Sequence, residues 1–200
     1  MYTTSTLLAL GALLLRTVFA HGNITSPPAR QPGPAMAAAC GKPAVAAVMA
    51  DPTTPLEDVT GAAGVPQCKL DLCRGAMFED NTAQVQMYSA GDVVNMQAIL
   101  PIPHEGPMNV SIIDTATNKA IGEPLISFET YADESLDVLP ANNTDFSVTM
   151  PQLKAGQCTQ AGECTMQWFW FGTSAQQTYE SCVDFVMMPS GDGAAPVAPA

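Results

Sequence analysis

His21 is one of only two histidines among 200 residues, and it follows directly on a leader, Met1 to Ala20. There Leu7, Leu8, Leu13, Leu14, Leu15, Val18 and Phe19 form an apolar stretch that closes on the small-residue pattern Val18-Phe19-Ala20. Such a stretch reads as a secretion signal cut after Ala20, and it is too short and too promptly interrupted to span a membrane. Its removal makes His21 the amino terminus. A terminal histidine carries two nitrogen donors on one residue, the imidazole and the free α-amine, which together can pincer a metal ion. The amine titrates at about pH 8 when unperturbed, and coordination keeps it deprotonated at lower pH because the metal competes with the proton. A nitrogen-only donor set favours copper(II), the tightest-binding divalent ion of the first transition row.

The second histidine, His104, lies in Pro101-Ile102-Pro103-His104-Glu105-Gly106-Pro107. Prolines and a glycine on both sides mark a turn between two strand candidates, so this imidazole reads as an accessible loop side chain. Near the end of the chain, Gln177-Thr178-Tyr179-Glu180-Ser181-Cys182 sets Gln177 and Tyr179 two residues apart. That spacing puts both on one face of a strand, which Cys182 would anchor.

The elements that must position these residues fall into two regimes. Residues 21 to about 90 are rich in Pro, Gly and Ala, and they read as long loops with short helical turns around Ala35 to Ala39 and Ala44 to Met49. From Asp92 onward, short apolar runs recur between turn signals: Val93 to Leu100, Asn109 to Asp114, Ala120 to Ser127, Phe146 to Met150, Thr165 to Phe171 and Tyr179 to Met187. Several alternate, as in Phe146, Val148 and Met150, the period of a half-buried strand. Repeated short strands with few helices predict an all-β fold, an immunoglobulin- or fibronectin-like antiparallel sandwich. One domain is expected over residues 21–188, followed by a mobile Gly/Ala/Pro tail over 189–200.

Composition narrows the partners. Seven Lys and Arg stand against 19 Asp and Glu, a formal net charge of −12 that becomes one unit more negative when Arg16 leaves with the signal. Nucleic acid and anionic membranes need basic patches that this chain lacks, whereas a neutral polymer is compatible with it. All six cysteines, Cys40, Cys68, Cys73, Cys158, Cys164 and Cys182, follow the leader. An even count in an exported chain reads as three disulfides, and no Cys-x-x-Cys pair supports zinc instead. Fifteen pairings are open; Cys68 with Cys73 would close a tight loop, and Cys164 with Cys182 would bridge two neighbouring strand segments. Three sequons, at Asn23, Asn109 and Asn142, would accept glycans in a eukaryotic host.

On these residues the chain resembles the lytic polysaccharide monooxygenases, copper enzymes that break crystalline polysaccharides by oxidation. In that superfamily the mature protein begins with histidine and a second histidine on a mid-chain loop completes a three-nitrogen brace. The resemblance therefore implies one copper ion, cycling between Cu(II) and Cu(I), held by His21 and His104 with Tyr179 at the axial position. It implies further that Gln177 orients the oxygen species by a hydrogen bond. More closely, His21-Gly22 with Ser26-Pro27-Pro28-Ala29-Arg30, Ala39-Cys40-Gly41, Cys73-Arg74-Gly75, Glu79-Asp80-Asn81 and Gln177-Thr178-Tyr179-Glu180-Ser181-Cys182-Val183-Asp184-Phe185 look like auxiliary-activity family sixteen, a fungal group. These segments run from residue 21 to about 187. In one respect the chain departs: relatives with Gln-x-Tyr usually carry a further histidine upstream of the glutamine, and here Gln167 or Trp168 is expected in that space.

The implied reaction uses an external electron donor and oxygen or hydrogen peroxide to hydroxylate a carbon at the glycosidic link, after which the bond collapses. It needs no pair of carboxylates across a cleft, unlike a glycoside hydrolase. A cellulose surface is the expected partner, with chitin, cellulose-bound xylan or another wall glucan as alternatives, and Tyr88, Tyr131, Trp168 and Trp170 are the aromatic candidates for stacking on sugar rings. The contrasting function is that of a secreted copper-binding or copper-delivery protein that shares the brace without cleaving sugars. Such proteins tend to place an acidic ligand near the metal, whereas the Gln177/Tyr179 pair favours oxidation. A secreted monomer is expected.

Overall fold

The computed structural model describes residues 21–59 and 67–189. The leader at 1–20 and all but the first residue of the expected tail lie outside them. The chain runs through β1 (His21–Ser26), α1 (Pro34–Cys40), α2 (Lys42–Ala50), β2 (Gln86–Tyr88), β3 (Val93–Ile102), β4 (Gly106–Asp114), β5 (Lys119–Ala120), β6 (Ile126–Tyr131), β7 (Asp145–Thr149), β8 (Cys164–Gly172) and β9 (Gln177–Met187). Apolar alternation becomes pleat: in β7, Phe146 and Val148 are buried while Ser147 and Thr149 face solvent.

The expected sandwich is the fold. A smaller sheet has the order β1-β3-β7, and a larger one runs β2-β9-β8-β4-β5, with β6 also pairing with β4. Among the described residues all pairs are antiparallel except β2 with β9. Between the sheets, Ile24, Val94, Met96, Phe146 and Val148 meet Met108, Val110, Met166, Trp168, Trp170 and Val183 in one continuous core. Strands β8 and β9 are buried on their other face as well. There Gln167, Glu180, Cys182 and Asp184 lie under the N-terminal segment, whose helices enclose a second cluster of Met36, Cys40, Ala44, Val48 and Val59. Arg30 grips Asp184 through two guanidinium nitrogens at 2.8 and 2.6 Å, and Asp80 accepts from the backbone N–H groups of Ala35 and Met36 to cap α1.

Both helical turns expected from sequence are α1 and α2. Strands β1 and β2 fall in the region expected to be loop, because β1 has a single apolar residue, Ile24, and owes its conformation to tertiary bonding: Ile24 donates its N–H to Ser181 Oγ, and Ser181 donates to Asn23 Oδ1. The single strand expected over Ala120 to Ser127 is instead the end of β5 and the start of β6, separated by Gly122 at φ +74° and by Pro124, which has no N–H for a ladder.

Neither suggested disulfide forms. The bonds are Cys40–Cys68, Cys73–Cys182 and Cys158–Cys164. Cys182 pairs in register with Gln167, so it shares the outer face of the sheet, whereas Cys164 shares the pleat of Met166 and Trp168 on the inner face. Strand parity thus separates the two sulfurs. Of the three sequons, Asn23 is buried and Asn142 is exposed.

Candidate functional site at one end of the sandwich

Strand register brings the singled-out residues to one end. His21 opens β1 opposite Ile102, two residues before His104. Gly172 closes β8 opposite Gln177, and Trp170 pairs with Tyr179. Two glycines knit these pieces together by close approach. A Cβ on Gly172 would stand 3.1 Å from the Cβ of His104, and one on Gly22 would stand 2.9 Å from Trp170 and 3.0 Å from Trp168. The backbone beside His21 therefore rests on the indole pair, and the loop of His104 rests on the end of β8.

His104 was expected to be accessible, but only 7% of it is exposed. Its Cβ packs closely against Gly172 at the end of β8. Both its ring nitrogens are buried without a hydrogen-bond partner, and the nearest carboxylate oxygen, on Glu134, is 3.6 Å from Nδ1, beyond hydrogen-bonding range. Glu134 is itself tied down by the backbone N–H of Glu105. Burial pushes the Glu134 carboxyl up, but that hydrogen bond and the nearby His104 outweigh it and hold the group below its ordinary value.

The His21 imidazole contacts Asp51, with Nε2 2.9 Å from the carboxylate. Asp51 also accepts from the backbone N–H of Thr53 at 2.8 Å and from the Thr53 hydroxyl, while the carbonyl of Thr53 accepts from the N–H of Gly22 at 3.2 Å. Desolvation raises the Asp51 carboxyl; the Thr53 hydrogen bonds and the charges of His21 and Arg74 more than offset it, and the group titrates below its ordinary value.

Tyr179 is fully buried, stacks on Trp170 at 4.5 Å between ring centroids and donates its hydroxyl to Gln177 Oε1 at 2.9 Å. Burial, reinforced by the negative charges of Glu57, Asp58 and Asp51, drives its ionisation upward, so the phenol stays protonated. Glu57 accepts from the backbone N–H of Thr178 and so fixes the start of β9.

Neither residue expected to fill the place of the missing histidine stands free to do so. Trp168 is wholly enclosed in the core, and Gln167 is turned to the outer face, where its side chain bonds to Glu180. The aromatic candidates for sugar stacking are equally unsuited: Tyr131, Trp168 and Trp170 are completely buried, and Tyr88 pairs with Met187 at the opposite end of β9. Asp51, Glu57 and Glu134 went unnoticed in the sequence. The only hint was Asp51-Pro52-Thr53, an aspartate placed to bond its own backbone two residues on.

Beneath the site lies a buried polar layer. The N–H of Arg74 donates to Glu180 at 3.2 Å, and the Arg74 guanidinium donates to the carbonyl of Thr54 at 2.9 Å. Burial raises the Glu180 carboxyl to about 7 despite those donors, and lowers Arg74 to about 10. Between the ordinary carboxyl value of 4.5 and about 7, the folded protein holds a proton that the unfolded chain has lost. The contribution of Glu180 to stability is thus fully present below pH 4.5 and is lost as pH rises through 7, by on the order of 3 kcal/mol. Glu180→Gln should flatten that decline, seen as a smaller difference between urea midpoints at pH 5 and pH 8; an unchanged difference would assign the slope elsewhere.

A family model described as lytic polysaccharide mono-oxygenase, cellulose-degrading, matches residues 21–185. The chain belongs to that family. Membership of the lytic polysaccharide monooxygenases carries copper-dependent oxidative cleavage of polysaccharide. No curated protein matches the chain. Among solved structures it is similar to a chitin binding domain from Burkholderia pseudomallei, at 13% identity over 84% of this chain and 100% of the other, TM-score 0.45. It is also similar to a cellulose-active lytic polysaccharide monooxygenase in complex with copper (15%, 83% and 98%, 0.41) and to a lytic polysaccharide monooxygenase from Micromonospora aurantiaca (16%, 83% and 99%, 0.39). At such distances none of them assigns a substrate.

Among the described residues of this monooxygenase, no three His, Cys, Asp or Glu side chains converge as a metal site. A brace built from two imidazoles and one amine does not require such a cluster. The residues present fit copper: a buried imidazole whose nitrogens both lack partners is costly unless something binds it, and nitrogen donors suit this ion. Among the described residues no helix is long and apolar enough to cross a membrane.

Proposed function

We propose that residues 21–188 form a secreted copper monooxygenase, exposed as a new amino terminus at His21 by removal of residues 1–20, which oxidatively cleaves the glycosidic bonds of crystalline cellulose. His21, through its α-amine and imidazole, and His104 would hold the metal, with Tyr179 and Gln177 beside it. Copper held there would supply one-electron redox chemistry, with an external donor as reductant and oxygen or hydrogen peroxide as oxidant, for oxidation of a C–H bond at the glycosidic link. The buried phenol of Tyr179 stays neutral and donates to Gln177, which holds the glutamine amide in one orientation with its nitrogen as the donor end. With no stacking ring among the aromatic candidates on this face, the sugar surface would be gripped by polar and backbone groups. The short segments shared with auxiliary-activity family sixteen and the family description support cellulose as the substrate.

One observation carries this reading: the imidazole of His104, buried with neither nitrogen hydrogen-bonded, sits two residues beyond the register partner of His21. Incubating copper-loaded secreted protein with cellulose and ascorbate should release oxidised oligosaccharides detectable by mass spectrometry. Carboxylates beside both imidazoles, Asp51 and Glu134, favour the alternative of copper delivery. Tight copper binding with no oxidised product from cellulose, chitin or xylan would establish that alternative in place of the enzyme.

A further inference from the structure

A histidine that chelates through its own α-amine must do so with Nδ1, because only that ring nitrogen can close a small ring with the amine. The opposite nitrogen, Nε2, points away, and it is Nε2 that meets Asp51 at 2.9 Å. We propose that Asp51 is a positioning residue for His21: its carboxylate accepts a hydrogen bond from Nε2–H, and so holds the neutral imidazole in the tautomer whose Nδ1 carries a bare lone pair. This inference rests on the copper reading of His21 given above.

The contacts form a closed circuit. From the His21 ring the path runs to one carboxylate oxygen of Asp51, through the other to the N–H and hydroxyl of Thr53, and from the Thr53 carbonyl back to the N–H of Gly22. Side chain and backbone of the first strand are thus held by the same short turn, Asp51 to Thr53, which follows α2 directly. Arg74 steadies that turn from below by donating to Thr54. An imidazole free to rotate about χ1 and χ2 would lose rotamer entropy on binding metal; one already held loses less. Which ring nitrogen carries the proton is set by the hydrogen bond the other end makes, and carboxylates that accept from a ligating imidazole raise its basicity as well as fixing it.

The test compares Asp51→Asn with Asp51→Leu in mature protein that begins at His21, with thermal unfolding confirming that each folds. In metal-free protein, 15N chemical shifts of the His21 ring should show the Nε2–H tautomer dominant in the parent and a mixture in Asp51→Leu. Copper affinity by calorimetric competition should fall about 10- to 100-fold in Asp51→Leu, the range seen when partners of metal-bound histidines are removed. Asp51→Asn, which retains one oxygen acceptor, should recover part of it. If the parent binds copper tightly while both variants keep its tautomer ratio and affinity, Asp51 merely shapes the turn and the proposal is overturned. If the parent itself fails to bind copper, the metal assignment of His21 falls instead, whatever the tautomer result shows.

Discussion

Gly106→Ala is expected to be the most damaging single substitution at the His21/His104 end of the sandwich. An added Cβ would stand 1.9 Å from the backbone oxygen of Phe171 and 3.0 Å from the backbone nitrogen of Thr173. No rotamer change relieves a clash with main chain, so β4 and β8 must separate at the point where the N–H of Thr173 also donates to the carbonyl of Glu105. Overpacking of this kind costs about 3 kcal/mol or more where neighbours cannot yield. The variant should show a markedly lower urea midpoint, and its copper affinity should fall with it, because His104 is two residues away on the loop that leads into β4. A variant with parental stability would mean that the strands do not approach this closely.

His104→Ala should leave the fold intact and weaken copper binding by at least about 100-fold, equivalent to roughly 2.7 kcal/mol. The side chain packs against Gly172 but carries no hydrogen bond whose loss would unfold the loop. Isothermal calorimetry reads the affinity directly, with Tyr179→Phe as companion: it removes only the hydroxyl that bonds Gln177, so it should retain the metal while altering the rate of substrate oxidation. Full copper affinity in His104→Ala would remove this imidazole from the metal site.

Where local chemistry decides conformation, the sequence is explicit. The alternation in Phe146 and Val148 becomes β7, with Met150 buried just past its end, the run Thr165 to Phe171 becomes the middle of β8, and Gln177 and Tyr179 do share a face, close enough for one to bond the other. What sequence hides is whatever depends on a distant partner. Strand β1 has almost no apolar pattern and is read as loop; its conformation comes from β3 and from Ser181, more than 150 residues on. His104 is buried and its Cβ lies against a glycine in another strand, which no local feature of Pro103-His104-Glu105 announces. Asp51 joins His21 across thirty positions through a turn whose own hydrogen bonds would look the same without the imidazole. The disulfides fail for a related reason: proximity along the chain suggests Cys68 with Cys73, whereas Cys73 and Arg74 adopt positive φ and turn the sulfur toward β9.

The Cys73–Cys182 bond spans 109 positions and ties the N-terminal layer to β9 immediately beside Glu180 and Arg74. In the chain-entropy account a cross-link over such a span contributes about 4 to 5 kcal/mol. The same layer carries Asp51 and Thr53. Preparations made in a reducing cytoplasm would therefore lose the rivet on the side of the molecule that steadies His21, even with the two β-sheets assembled. Recombinant material from such hosts should underestimate what the disulfide-bonded protein can bind.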